Sequence, residues 1–146
     1  MSAHAAEKAK AAQALRATLR SVRQARRMRT HDVAGGMGMP LRTYEHFEAG
    51  DTQFDLTKVQ AFARATDADV ASIISSLLIE APAFAVRTMD NKLMELVLTA
   101  LKDFNDDVGD RIAALEGAVI LSVMNQAFAA LREHLDRGAA RPEGAE

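Results

Sequence analysis

The sequence predicts an all-α protein, and three observations carry that expectation. Ala, Leu and Val dominate a hydrophobic share of 49%, while aromatics make up only 5% and prolines number three in 146 residues. Such a composition favours helices over sheets. Apolar residues also recur three and four positions apart along most of the chain, which is the helical period. The length suits one core of about 100 residues, or a small domain with a helical appendage.

Residues 1–10 (MSAHAAEKAK) are small and polar. They are expected to be a flexible N-terminal segment, or else to extend the first helix. From Ala11 to about Met28, Leu15, Leu19, Val22 and Met28 keep helical spacing while the arginines point elsewhere. Thr30 is placed to cap a short second helix with Val33, Ala34 and Met37 on one face, and Gly38 stops it. Pro40 suits the first turn of a third helix, where its missing N–H costs nothing, and this helix ends before Gly50. Asp55 can cap a fourth helix with Leu56, Val59, Phe62 and Ala63 inward. Asp67 or Asp69 can cap a fifth, with Val70, Ile73, Ile74, Leu77 and Leu78 inward. Pro82, in "EAPAF", marks the seam.

Beyond the seam, Leu93, Val97, Ala100 or Leu101, and Phe104 form one stripe, "NDDVGD" interrupts, and a long helix runs from about Val108 to Arg137. Its segment "AVILSVM", residues 118–124, is apolar nearly all round, so a single neighbour could not bury it. The expectation is a helical hairpin packed on a second copy of itself, with Leu115, Val119, Ile120, Val123, Met124, Phe128 and Leu131 at the dimer interface. An intramolecular cap on the N-terminal core is the alternative. The expected organisation is therefore a flexible segment at 1–10, a first domain at 11–80, a helical dimerisation domain at 81–138 and a disordered tail at 139–146.

Several function classes fall away. No cysteine is present, which excludes disulfides, zinc fingers, iron–sulfur clusters and thiol catalysis. No stretch approaches the roughly 18 apolar residues of a membrane span, so a soluble cytoplasmic protein is expected. The net charge is −2, but it is uneven. Residues 1–76 hold 11 basic and 8 acidic side chains, whereas residues 77–146 hold 7 and 12. The two halves should do different jobs.

Four of the eight glycines fall in "VAGGMGMPLRTYEHFEAG", residues 33–50. No Lys-Ser/Thr pair follows them as a P-loop requires, and "RRMRTHDVA" before Gly35 is not the strand that opens a dinucleotide fold. The calcium-loop reading of Asp103, Asn105 and Asp107 fails at Val108, where glycine is needed, and at Ala114, where glutamate is needed. The histidines lack HExxH spacing and GxSxG is missing, so no metal, cofactor or catalytic activity is expected.

If Tyr44 and Phe47 face inward, the 100° step per residue turns Arg42, Glu45, His46 and Ala49 outward, with Leu41 and Thr43 alongside. Arg can bond guanine O6 and N7, and Glu can accept from cytosine N4. A solvated helix with Arg42 paired to Glu45 accounts for these outward residues equally well.

The order of features adds to this. Val33-Ala34, Gly38, the inward pair Tyr44 and Phe47, then Glu48-Ala49-Gly50 and "LTKVQAFARATDADVASI" follow one another. In that order, residues 12–76 resemble the XRE family of helix-turn-helix regulators, which includes lambda-type repressors and Cro. The resemblance implies a five-helix lambda-repressor-like domain whose third helix lies in the major groove of double-stranded DNA. It implies Leu41, Arg42, Glu45 and His46 as base readers, and Thr43, Thr30, Arg26, Arg27 and Arg29 as phosphate contacts. The chain departs from the family where Thr30 replaces the usual Gln, where Asp51 and Asp55 replace a basic loop, and where Gly35 and Gly36 sit inside a helix.

The resulting expectation is a homodimeric regulator, a repressor at a palindromic operator. The alternative is an adaptor or antitoxin-like module whose hairpin grips another protein.

Overall fold

The structure, a computed structural model, describes residues 2–141. Among these residues it is all helical. The order is α1 (Ala3–Ala25), α2 (Thr30–Gly36), α3 (Leu41–Glu48), α4 (Leu56–Thr66), α5 (Val70–Leu78), α6 (Pro82–Thr88), α7 (Leu93–Val108), a 3-10 helix (Gly109–Ala114) and α8 (Gly117–Ala139). The chain divides into two compact units, Met1–Lys102 and Asp103–Glu146.

In the first unit α1 is the spine. Leu15, Leu19 and Val22 meet Val33 and Ala34 of α2, Tyr44 and Phe47 of α3, Val59 and Phe62 of α4, and Ile73 of α5 in one buried cluster. Phe47 is the hinge pin of this core, with its ring centroid 6.2 Å from Tyr44 and 6.3 Å from Phe62. Tilted rings at such separations add specificity to the area they bury.

Carboxylates start two of the helices. Asp55 accepts from Thr57 N at 2.9 Å and Asp69 from Ala71 N at 2.9 Å, each satisfying an orphan donor of the first turn. Five helices close alike. Arg27, Gly38, Gly50, Asp67 and Glu80 all take positive φ just past the end of α1, α2, α3, α4 and α5. The following N–H then bonds back five residues, as in Met39 N to Ala34 O at 3.0 Å.

Several boundaries differ from the sequence reading. Residues 3–10, set apart as flexible, are the opening turns of α1, which Ser2 caps by accepting from Ala5 N; Met1 lies outside the described residues. Thr30 is the first residue of α2 and Arg29 its cap, because Asp32 reaches back to accept from Arg29 N at 2.9 Å. Pro40 is likewise the cap of α3.

The seam at residue 82 is a sixth helix, with Pro82 in its first turn. Its Ala85, with Met89 just beyond, completes the core against α1 and α5. Leu56 and Leu78, read as inward, are 46% and 79% exposed. Each sits at a helix end, where the periodic face runs past the edge of the core.

α7 spans the boundary between the units and persists through Asn105 and Asp107 to Val108, so these residues lie on helix rather than in a loop. The interruption comes at Gly109, with φ +53°, and the long helix begins at Gly117 instead of Val108. No residue of α7 or α8 is buried. Of the expected tail, Ala139 closes α8, and residues 142–146 lie outside the described residues.

Candidate nucleic-acid interface

The site is assembled from α2, its turn and α3. Gly36 lets α2 rest on α4, since a Cβ there would stand 2.9 Å from the Ala65 Cβ. Gly38 then takes φ +68°, a left-handed conformation that costs little only without a side chain, and turns the chain into α3. Gly50 does the same at the far end with φ +76°, where a Cβ would stand 2.6 Å from the Ala12 carbonyl oxygen of α1. The third helix is therefore held at both ends.

Its inner face is held by charge as well as by apolar contact. Glu48 is buried, and Arg23 of α1 donates to it through Nε and Nη2, both at 2.8 Å, with Arg20 Nε at 3.7 Å. The Tyr44 hydroxyl also donates to Glu48, and Arg23 Nη1 donates to the Met28 carbonyl at 3.2 Å. Burial pushes the Glu48 carboxyl up, but the bonds from Arg23 and Tyr44 and the charges of Arg23 and Arg20 outweigh it. Glu48 is thus held below the usual carboxylate range. Burial, then the Glu48 carboxylate, raise the Tyr44 hydroxyl far above its ordinary value, so it stays a donor.

With that face pinned, Leu41, Arg42, Thr43, Glu45 and His46 are all exposed on the other. Arg42 has no hydrogen bond or ion pair with any other described residue, so the Arg42–Glu45 pair of a merely solvated helix does not form. His46 Nδ1 lies 3.4 Å from Asp51 Oδ2, so the acidic loop orients the imidazole. Asp55 is spent on its cap.

The expected phosphate contacts divide. Arg27 and Arg29 are exposed after the end of α1, and Thr30 is half-buried at the start of α2 in a recess of about 320 Å³ lined also by Arg20, Gln24 and Glu45. Arg26 is engaged elsewhere. Its Nε donates to the Thr66 carbonyl at 2.8 Å, and its Nη2 reaches the Asp67 carbonyl and the Asp90 carboxylate, both at 2.7 Å. The left-handed ending of α4 leaves carbonyls that need donors, and Arg26 supplies them. Arg26 thereby ties α1 to the end of α4.

The Arg23–Glu48 pair was not identifiable beforehand. Its partners are 25 residues apart, and the sequence offered only an arginine-rich helix and a glutamate before a glycine.

Residues 14–73 match the family model described as a helix-turn-helix domain. The match supports an N-terminal helix-turn-helix DNA-binding domain. The match runs from α1 into α5, so α2 and α3, with the turn at Gly38, lie within it. No curated protein and no solved structure gives a match to the chain. The helix-turn-helix domain extends beyond the matched residues, because α6 packs on its α1 and α5. No helix among the described residues is long and apolar enough to cross a membrane.

Proposed function

We propose that the chain is a sequence-specific transcription regulator, a cytoplasmic repressor that binds a palindromic operator as a homodimer with α3 in the major groove. The observation that carries this reading is the state of Arg42: exposed, unpaired among the described residues, and mounted on a helix whose opposite face is locked to α1 by Glu48. A free guanidinium on a fixed helix can take the bidentate contact to guanine O6 and N7. Glu45 and His46 flank it one turn on, and Leu41 offers apolar contact to a thymine methyl. Thr43, Thr30, Arg27 and Arg29 supply phosphate contacts that set register without reading sequence.

A second copy is the occupant that α7 and α8 call for. Leu115, Val119, Ile120, Val123, Met124, Phe128 and Leu131 are each between 43% and 57% exposed, and Leu121 and Leu135 more so. Over the 23 residues of α8 all of these but Leu115, which precedes the helix, fill an arc of roughly 200°, too broad for one neighbour. A helix is about 10–12 Å across and rises about 1.5 Å per residue, so burying one face of α7 and α8 removes on the order of 600–700 Å² per copy. That approaches the roughly 800 Å² per partner of a standard specific interface. One recognition helix reads only a few base pairs, and two give a useful specificity ratio.

Selected-oligonucleotide binding at physiological salt tests the proposal. The expected product is a palindrome whose half-sites lie about 10 base pairs, or a multiple of that, apart from centre to centre. No enrichment, together with a stoichiometric partner protein on α8, would replace it with the adaptor.

A further inference from the structure

Where α6 ends and α7 begins, polar contacts from four parts of the helix-turn-helix domain converge. The buried Asp69 carboxylate caps α5 through Oδ1, and through Oδ2 it accepts from Glu95 N in the first turn of α7 at 3.2 Å. The same Oδ2 accepts from Ser72 Oγ at 2.8 Å, and Ser72 Oγ in turn accepts from Thr88 Oγ1 of α6 at 2.7 Å. One buried carboxylate thus starts two helices and is braced by a third. Around it, Arg26 of α1 reaches Asp90 at 2.7 Å, and Lys92 Nζ reaches the Asp67 carbonyl at 3.3 Å.

Apolar packing does little of this work at the start of α7, where Leu93 and Met94 are only half-buried and no residue of the helix is fully buried. Helices held by apolar faces alone can slide and repack, whereas a buried polar network is satisfied in one arrangement only. Among the described residues no buried side-chain nitrogen or oxygen lacks a partner, so this network is complete.

We infer that Asp69 is a positioning residue: it fixes the direction in which α7 leaves the DNA-binding domain, and through it the dimer selects one spacing between half-sites. The inference rests on the homodimer proposed above. Two base pairs more or less between half-sites turn one of them by roughly 70° about the duplex. A dimer whose α7 helices leave the domains in one fixed direction discriminates against that rotation, and one with loose junctions does not.

The test is affinity for a series of duplexes that carry two copies of the selected half-site at different spacings, with Asp69→Asn compared to the unaltered chain. Asn keeps an oxygen to cap α5 but points an amide donor at the Glu95 N–H and the Ser72 hydroxyl. The unaltered chain should prefer its best spacing by at least about tenfold over spacings two base pairs away, and Asp69→Asn should reduce that to within about threefold. Affinity for a single half-site and the mass of the dimer should stay as they were.

Asp90→Ala gives a second reading at an exposed position, where nothing is buried by the change. It should flatten the profile in the same direction, and it decides alone if Asp69→Asn does not fold. Variants that keep the original spacing profile overturn the inference and leave the dimer standing. An unaltered chain that is monomeric on DNA by mass overturns the dimer, and the inference with it.

Discussion

Glu48 is buried on the inner face of α3, and its bonds to Arg23 and Tyr44 set the face that α3 presents. Glu48→Gln should cost roughly 3 kcal/mol in urea unfolding, because Arg23 keeps a largely buried charge without its counter-ion. The pH dependence has a definite sign. Glu48 is held below its ordinary value in the folded chain, so the unfolded chain binds the proton first as pH falls. The stabilisation is fully present above about pH 4.5 and is lost as pH drops through the folded value. Unfolding midpoints measured from pH 6 down to 3 should fall more steeply for the unaltered chain than for Glu48→Gln. Parallel curves would show that the pair is not the source of the acid sensitivity.

Among the elements, α2 is the most instructive, because its two adjacent glycines have opposite circumstances. A Cβ at Gly35 meets nothing within 4 Å, whereas one at Gly36 would press on Ala65 of α4. In free protein, Gly35→Ala should raise stability by about 0.5–1 kcal/mol through helix propensity. Gly36→Ala should lower it, since two backbones must separate to admit the methyl group. Thermal melts of the two variants check the contrast, and a shift of the same sign in both would contradict it.

The helix-turn-helix pair was legible in the sequence for a physical reason. Tyr44 and Phe47, three apart, set the phase of α3, and that phase dictates which residues face out. Long-range polar contacts leave no period to read, so the tie of Arg26 to α4 and the sharing of Asp69 between α5 and α7 were hidden. The seven-residue α6 was hidden too, because two turns behind a proline look like a linker.

Across the whole molecule, the division of charge and of apolar surface suggests a division of labour. The domain that carries α3 satisfies its own core, and α7 and α8 do not. Phe128→Glu places a charge in the middle of the apolar arc of α8 and should dissociate the proposed dimer. Sedimentation should then find monomer at concentrations where the unaltered chain is dimeric, with helical content retained by circular dichroism. Operator affinity should drop by at least tenfold, since each half-site is then bound alone. A monomeric unaltered chain would leave α8 for a different partner.

The proposed reading of DNA by α3 is tested most directly by titrating the unaltered chain and Arg42→Ala against the selected operator and against a scrambled duplex of equal length at physiological salt. Loss of about 1–3 kcal/mol on the operator, relaxed preference at one base pair of each half-site, and unchanged affinity for the scrambled duplex are the expected results. An equal loss on both duplexes would make Arg42 a contact to phosphate alone, and the base-reading role of α3 would have to be abandoned.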